Sequence, residues 1–494
     1  MLLMGLDVGT TNVKAGIFDE NGNMHCVYSQ ELAIISDCPD RAEQDGETVY
    51  QALLSVMGRS VASTSGEIGG ISLSVQGDAV AAFDREFRPL TNFQLGMDYR
   101  CKTQAAAFAY EFGAENLFRR TGMAPHPINT LCKIRWLTEN MPDIIKKTGY
   151  YMTFADYLLY RLGSDEPVID MGMASRTMGF NISRNTWDSE LLNAAGIDYR
   201  NLSRVVSSGA NVGVINPKVS ELIGLKGKTS LITGGHDQVC AAVGAGIKSE
   251  MGLDSHGTAE AISTILSEPR LDEAMLRAGF PCYNFAAPGA YFTFSLNHTA
   301  GLLLKWFVDE FYPGEKGDDQ SYSFIDNELK PFPSPLIVLP YFNGRGTPVN
   351  DVDMKGLIAG LTLSSDRNDI VRAILEALAY DMNVNLKAMA NARLPIKYLR
   401  CAGGGAKSPL CLQIKADVCD MPVETLVNRE AACFGAALLA GVGIGVYDSI
   451  EATVNYVKTD KLYEPSTQAT AAYSEKYEKF QQLYMLNKDI LRIM

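Results

Sequence analysis

The sequence predicts an α/β protein built from two domains of similar size with a ligand cleft between them. Three observations carry that prediction. Apolar, strand-like runs end four times in glycine-rich turns that hold a carboxylate or a hydroxyl. A set of strands followed by alternating helices and strands occurs twice along the chain. The 494 residues, 47% of them hydrophobic, supply apolar surface for large buried cores, on the order of two to four domains.

The elements follow in order. Residues 2–8 and 13–18 read as strands around the turn Gly9-Thr10-Thr11, and Asn21-Gly22 joins the second to a third strand at 24–28 as a hairpin. Further strands are predicted at 69–75 and 79–83, and helical periodicity at 102–112, 131–140 and 154–162. A second set opens with a strand at 229–233, the turn Gly234-Gly-His-Asp-Gln238 and a small-residue stretch at 239–247. Then come 252–258, a helix-like 297–312, a long helix at 366–391, a strand at 396–400 entering Cys401-Ala-Gly-Gly-Gly-Ala-Lys407, and a helix at 410–418. The domains are expected at 1–245 and 246–494. The tail from Ala471 carries Tyr473, Tyr477, Phe480 and Tyr484 at helical spacing, a face for docking on the same chain, with a homodimer contact as the alternative.

Charge and cysteine usage narrow the function classes. With 44 Lys+Arg against 57 Asp+Glu, the net charge of −13 argues against nucleic acid or an anionic membrane as partner. No membrane span is expected. The uncharged run at 278–304 is broken by Pro281, Pro288 and His298, and the apolar run at 431–447 falls short of the roughly 20 residues a span needs and reads as a buried helix. The ends show no export signal, and the ten cysteines form no CxxC pair. The expectation is a cytoplasmic protein with reduced, core-filling thiols.

The four glycine-threaded turns carry the chemistry. Asp7-Val-Gly-Thr-Thr11 sets a carboxylate and two hydroxyls in a tight turn, a pattern that holds hydrated Mg2+ and phosphate, or serves as an ordinary hairpin turn. It is not a P-loop, because GxxxxGK[ST] is absent. Asp237 follows two glycines at a strand end, where a carboxylate can take a proton from a hydroxyl attacking phosphorus, or cap a helix. Ser255-His-Gly-Thr258 offers close backbone approach and a hydroxyl. Gly403-Gly-Gly405 makes a surface without side chains on which an adenine ring could lie.

In this order the motifs resemble the FGGY carbohydrate kinases, within the sugar kinase/Hsp70/actin superfamily. Residues 5–15 resemble the family's first phosphate motif, 234–238 its catalytic segment, 255–258 its second phosphate motif and 403–417 its adenosine motif. Met97-Asp-Tyr-Arg100, Asp170-Met-Gly-Met-Ala-Ser-Arg-Thr177, residues 339–348 and residues 372–378 are similar to further family segments. The resemblance implies two actin-like (ribonuclease H-like) domains around an ATP/sugar cleft, ATP and Mg2+ as cofactors, and a small sugar or polyol as substrate.

By the same resemblance Asp237 is the general base and Asp7 holds the metal. Thr10, Thr11, Lys14, Thr258, Gly301, Lys305, Gly404, Gly405 and Ser408 lie on the nucleotide side, and Gln76, Asp78, Asp98, Arg100 and Gln238 on the sugar side. Where glycerol kinases carry Arg-Glu and xylulokinases Met-His, this chain has Gly77-Asp78; Met97 replaces an aromatic, and Ile128-Asn129 stands where glycerol kinases present a tyrosine. These departures point away from glycerol. Asp78 and Asp98 suit the hydroxyls of a ketose or polyol, a pentulose above all, and their charge disfavours a sugar acid. The competing expectation is an actin/Hsp70-like ATPase without a sugar substrate. A non-catalytic sensor is disfavoured by the presence of Asp7, Asp237 and Thr258 together.

Overall fold

The computed structural model describes residues 1–312, 329 and 333–494. Two sheets organise them. The six-stranded sheet runs, edge to edge, Asn211–Val214, Ser230–His236, Ile68–Val75, Leu2–Val8, Asn12–Asp19 and Met24–Glu31. Leu2–Val8 pairs antiparallel with Asn12–Asp19 and parallel with Ile68–Val75, which is parallel to Ser230–His236. The seven-stranded sheet repeats this plan. Met251–His256 pairs antiparallel with Glu260–Leu266 and parallel with Tyr398–Gly403, which is parallel to Val423–Leu426. The α/β class expected from the repeated element order is what forms.

Local chemistry explains the elements. Leu2–Val8 is nearly all buried, as a central strand covered on both faces must be, whereas Met24–Glu31 at the edge has no fully buried residue. The Asn21-Gly22 hairpin is closed by Asp19, whose Oδ1 accepts from Asn21 N and Asn23 N at 2.9 Å each, with Gly22 at φ +76°. Helix Arg367–Asn391 starts at a capping box in which Asp366 and Asp369 accept from each other's backbone N–H. Helix Thr467–Ile493 lays Tyr473, Tyr477 and Phe480 against Tyr380, with ring centroids 5.4–6.3 Å apart, so its aromatic face docks on its own chain.

Three boundaries differ from the sequence reading. The strand after Thr229 does not stop at Thr233 but runs to His236, and Asp237 opens helix Asp237–Gly244. Asn297 ends strand Tyr291–Asn297, and the next helix begins only at Gly301. The strand expected at 396–400 is Tyr398–Gly403, because pairing with Met251–His256 pulls its register toward the glycines.

The two sheets lie at 2–236 and 251–463, and this is our ground for dividing the chain at 245/246. One element crosses back. Helix Ala431–Gly443, apolar all round, packs on the first sheet, where its backbone comes so close that a Cβ on Gly5 would fall 1.8 Å from Cys433 O. Among the described residues no helix is long and apolar enough to cross a membrane. All ten cysteines are free, and all but Cys26 and Cys38 are buried.

Candidate active site

The parallel strands of both sheets end on one cleft, with a cavity of about 320 Å³. Binding outside the C-terminal ends of parallel strands is general for open α/β sheets. Asp7, near the end of Leu2–Val8, and Asp237, just after Ser230–His236, form the acidic floor; Ser255, His256 and Gly257 face them from the second sheet. Asp7 Oδ1 accepts from Ser74 Oγ at 2.7 Å. Burial raises the Asp7 carboxyl, with the Ser74 hydrogen bond and Lys14 only partly opposing it. Lys14 Nζ pairs with Glu430 at 2.6 Å, joining two cleft-lining residues 416 positions apart.

Asp237 is walled in except on the cleft side, where about a third of its side chain is exposed (34%). Its Oδ1 accepts from Gln238 N at 2.6 Å and stands 3.2 Å from His236 Nε2. Oδ2 has no partner among the described residues. Burial, and then the like charge of Asp7, push the carboxyl up to about 7. Two carboxylates that both resist ionisation across one cleft suit a divalent cation, so the donor set of Asp7 and Asp237 fits Mg2+.

The sugar-side residues sort into two groups. Asp98, only 1% exposed, accepts from Ala42 N at 3.1 Å and is clamped by Arg100 Nη2 at 2.6 Å, which also bonds Glu43 Oε1 at 2.5 Å. Asp98 and Arg100 thus hold each other and a loop. Asp78, at φ +68°, is ion-paired with Arg176, whose guanidinium lies 5.1 Å from the Tyr283 ring centroid. Its Oδ1 is buried and unpartnered, as are Arg176 Nε and Gln238 Oε1. The expected bias against a sugar acid is therefore corrected: each carboxylate that was to repel an acid already carries an arginine. Gln76 accepts from Thr10 Oγ1 at 3.0 Å and donates to Gln44 Oε1 at 3.0 Å, so it braces the first phosphate turn.

On the other wall only part of the expected nucleotide set gathers. Thr258 O accepts from Ala300 N and Leu302 N at 3.0 and 3.2 Å, and Gly257 O accepts from Gly301 N at 3.0 Å, which seats the start of helix Gly301–Phe311 on the phosphate turn. Lys305 does not line the cleft; it is exposed and pairs with Asp309 at 2.8 Å. Ser408 Oγ accepts from Cys411 N at 3.1 Å and caps helix Pro409–Cys419. Of the three glycines only Gly404 has room for a Cβ, whose nearest neighbour would be His256 O at 3.9 Å. Gly403 needs its φ of +88°, and a Cβ on Gly405 would fall 2.2 Å from the His256 ring. The bare surface expected for adenine is in part a surface for His256. Thr11 is exposed beside Asn12, whose Nδ2 donates to Thr11 Oγ1 at 3.1 Å.

Beneath the second phosphate turn lies a buried cluster that the sequence did not reveal. Lys415 Nζ contacts Asp254 Oδ2 at 2.5 Å, Glu260 Oε1 at 2.8 Å and His256 Nδ1 at 2.8 Å. Asp254, His256 and Glu260 are grouped as metal ligands would be, but the ammonium sits among them and takes the cation's place. Burial opposes every charge here. The two carboxylates outweigh it to hold Lys415 well above its usual range, and Lys415 holds Glu260 below its own. Arg176, Tyr283, Glu430 and the cleft-lining Arg429 were also missed as site residues. Arg176 stood inside a recognised segment; the others carry no local signal, since their partners lie far away in sequence.

The comparisons agree with this geometry. Residues 2–244 match the N-terminal domain and residues 253–444 the C-terminal domain of the FGGY family of carbohydrate kinases. The xylulose kinase of Bacillus subtilis is 27% identical over 498 residues, covering 99% of this chain and 97% of that protein. The gluconokinase of the same organism is 28% identical over 485 residues, covering 95% and 93%. The crystal structure of a xylulose kinase from Brucella ovis superposes with a TM-score of 0.89 at 25% identity, covering 99% of this chain and all of that one. Cleft, strand-end carboxylates and both matched domains lead to one conclusion, which displaces the sugar-free actin/Hsp70-like alternative: the chain belongs to the FGGY family of carbohydrate kinases, phosphotransferases that act on alcohol groups.

Proposed function

We propose that this protein is an ATP- and Mg2+-dependent kinase that phosphorylates a hydroxyl of a small ketose or polyol, with a pentulose as the leading substrate class and Asp237 as general base. The observation that carries the proposal is the state of Asp237: one oxygen tied to the backbone, the other free on the cleft, and a carboxyl raised to about 7 by burial. A base with that affinity takes a proton readily near neutral pH. The substrate hydroxyl gives its proton to Asp237 Oδ2 as its oxygen bonds the γ-phosphorus. The bond from that phosphorus to the β,γ-bridging oxygen breaks, and its electron pair leaves with ADP. A Mg2+ held by Asp7 would neutralise the developing phosphate charge. Thr10, Thr258 and Gly404 would border the nucleotide; Arg429 would add positive charge at the cleft, where Lys14 is already paired with Glu430. Asp78 Oδ1, Arg176 Nε and Gln238 Oε1 are unpartnered groups suited to sugar hydroxyls.

A sugar acid is the second reading. Arg176 and the gluconokinase relative favour it. ADP release measured with D-xylulose, L-xylulose, D-ribulose, xylitol and gluconate decides between them. Strong stimulation by a pentulose supports the first reading, strong stimulation by gluconate the second, and stimulation by no compound overturns both.

A further inference from the structure

The ammonium of Lys415 lies against a histidine that lines the cleft. Lys415 is 1% exposed and has three N–H donors and no acceptor. Its three neighbours are Asp254 Oδ2, Glu260 Oε1 and His256 Nδ1, all within 2.8 Å. Pairing every donor requires His256 Nδ1 to accept. The alternative, a ring protonated at Nδ1 that donates to Glu260 Oε1 at 2.9 Å, turns an N–H against an ammonium N–H among buried side chains. With Nδ1 accepting, the one ring proton lies on Nε2. That nitrogen has no partner among the described residues, and His256 lines the cleft between the phosphate turn and the adenosine turn. Gly405, which lacks the Cβ that would strike the ring, lets the adenosine turn close against it.

We propose that His256 is a nucleotide-binding residue whose Nε2–H donates to a phosphate oxygen of ATP, and that Lys415 is a positioning residue that holds it in this tautomer. The proposal rests on the nucleotide occupying this cleft. Lys415, carried by the helix that follows the adenosine turn, thereby couples that turn to the phosphate turn through one charge.

Calorimetric titration with ADP tests binding, and 15N spectroscopy of the five histidines tests the tautomer. His256→Ala should weaken ADP by roughly 10- to 100-fold, the usual range for losing a hydrogen bond to a charged group, and leave KM for the sugar unchanged. His256→Gln, which returns an N–H near the Nε2 position, should recover most of that loss. In the wild type the His256 Nε2 should be the protonated nitrogen; in Lys415→Met the proton should move to Nδ1, with a matching loss of ADP affinity. Unchanged ADP affinity in His256→Ala, or a wild-type ring protonated at Nδ1, overturns the proposal. Gly257→Leu separates this from the cleft assignment itself. A Cβ there meets nothing nearer than 3.8 Å and Gly257 lines the cleft, so the larger side chain is expected to take up cleft space. Normal ADP binding by Gly257→Leu would remove the nucleotide from this cleft, whereas its loss beside a normal His256→Ala would remove only the role of His256.

Discussion

Asp237 is the residue we propose as general base, and its surroundings determine how it would act. It must be ionised to accept a proton, and burial together with Asp7 holds its carboxyl near 7. In the free enzyme kcat/KM should therefore be full above that value and fall about tenfold per pH unit below it, because protonation removes the base. A profile flat from pH 5 to 8 would contradict the assignment. Asp237→Asn should lower kcat by roughly 100- to 10,000-fold while ADP still binds, the pattern expected when a proton acceptor is removed and the cleft is kept. Asp78 makes the complementary point. Its charge is offset by Arg176, so a role in substrate choice would act through the free Oδ1 and not through net repulsion.

At the scale of elements, helix Ala431–Gly443 does more than fill a core. It carries Glu430 to Lys14 at its N-terminal end and places Ala431 and Ala432 on the cleft, while its body lies on the first sheet. Contact this close requires glycine. A methyl on Gly5 would sit 1.8 Å from Cys433 O, and backbone cannot retreat as a flexible side chain can. Gly5→Ala should thus cost at least about 1–3 kcal/mol, read as a lowered urea midpoint at unchanged slope. Activity should fall with it, since the displaced helix carries Glu430 away from Lys14. A variant as stable as the parent would show that the helix moves freely over the strand. Two of the three element boundaries that shifted share one cause. Local pattern marks a glycine as a stop, but pairing with a neighbouring strand carried Ser230–His236 and Tyr398–Gly403 through theirs.

At the scale of the molecule, the cleft is bordered by residues from both sheets, so a nucleotide bound there would tie the halves together. Ligand that binds only the folded state stabilises it by mass action. ADP at about 100 times its Kd should add about 2.7 kcal/mol to the free energy of unfolding. Unfolding followed by fluorescence should report the gain for both halves in a single transition, already coupled by Cys282 N donating to Gly122 O and Asn284 N to Ser175 Oγ. ADP that stabilised one transition and left a second unmoved would show the halves to be independent.

The sequence by itself determined the α/β class, the two similar sets of strands and the strand-end positions of Asp7 and Asp237 on the cleft. Those features are written locally, as apolar runs ending in glycine with a particular polar residue at a fixed offset. Tertiary structure alone decided which polar groups were free to act. Asp98 and Arg100 neutralise each other, Lys305 turns to solvent, and Gly405 makes room for a histidine. The partners of Asp78, Lys14 and His256 lie 98, 416 and 159 residues away. Charge compensation acts over a few ångströms of space whatever the distance along the chain, so a local pattern can nominate a carboxylate but only packing settles whether it faces a substrate or an arginine.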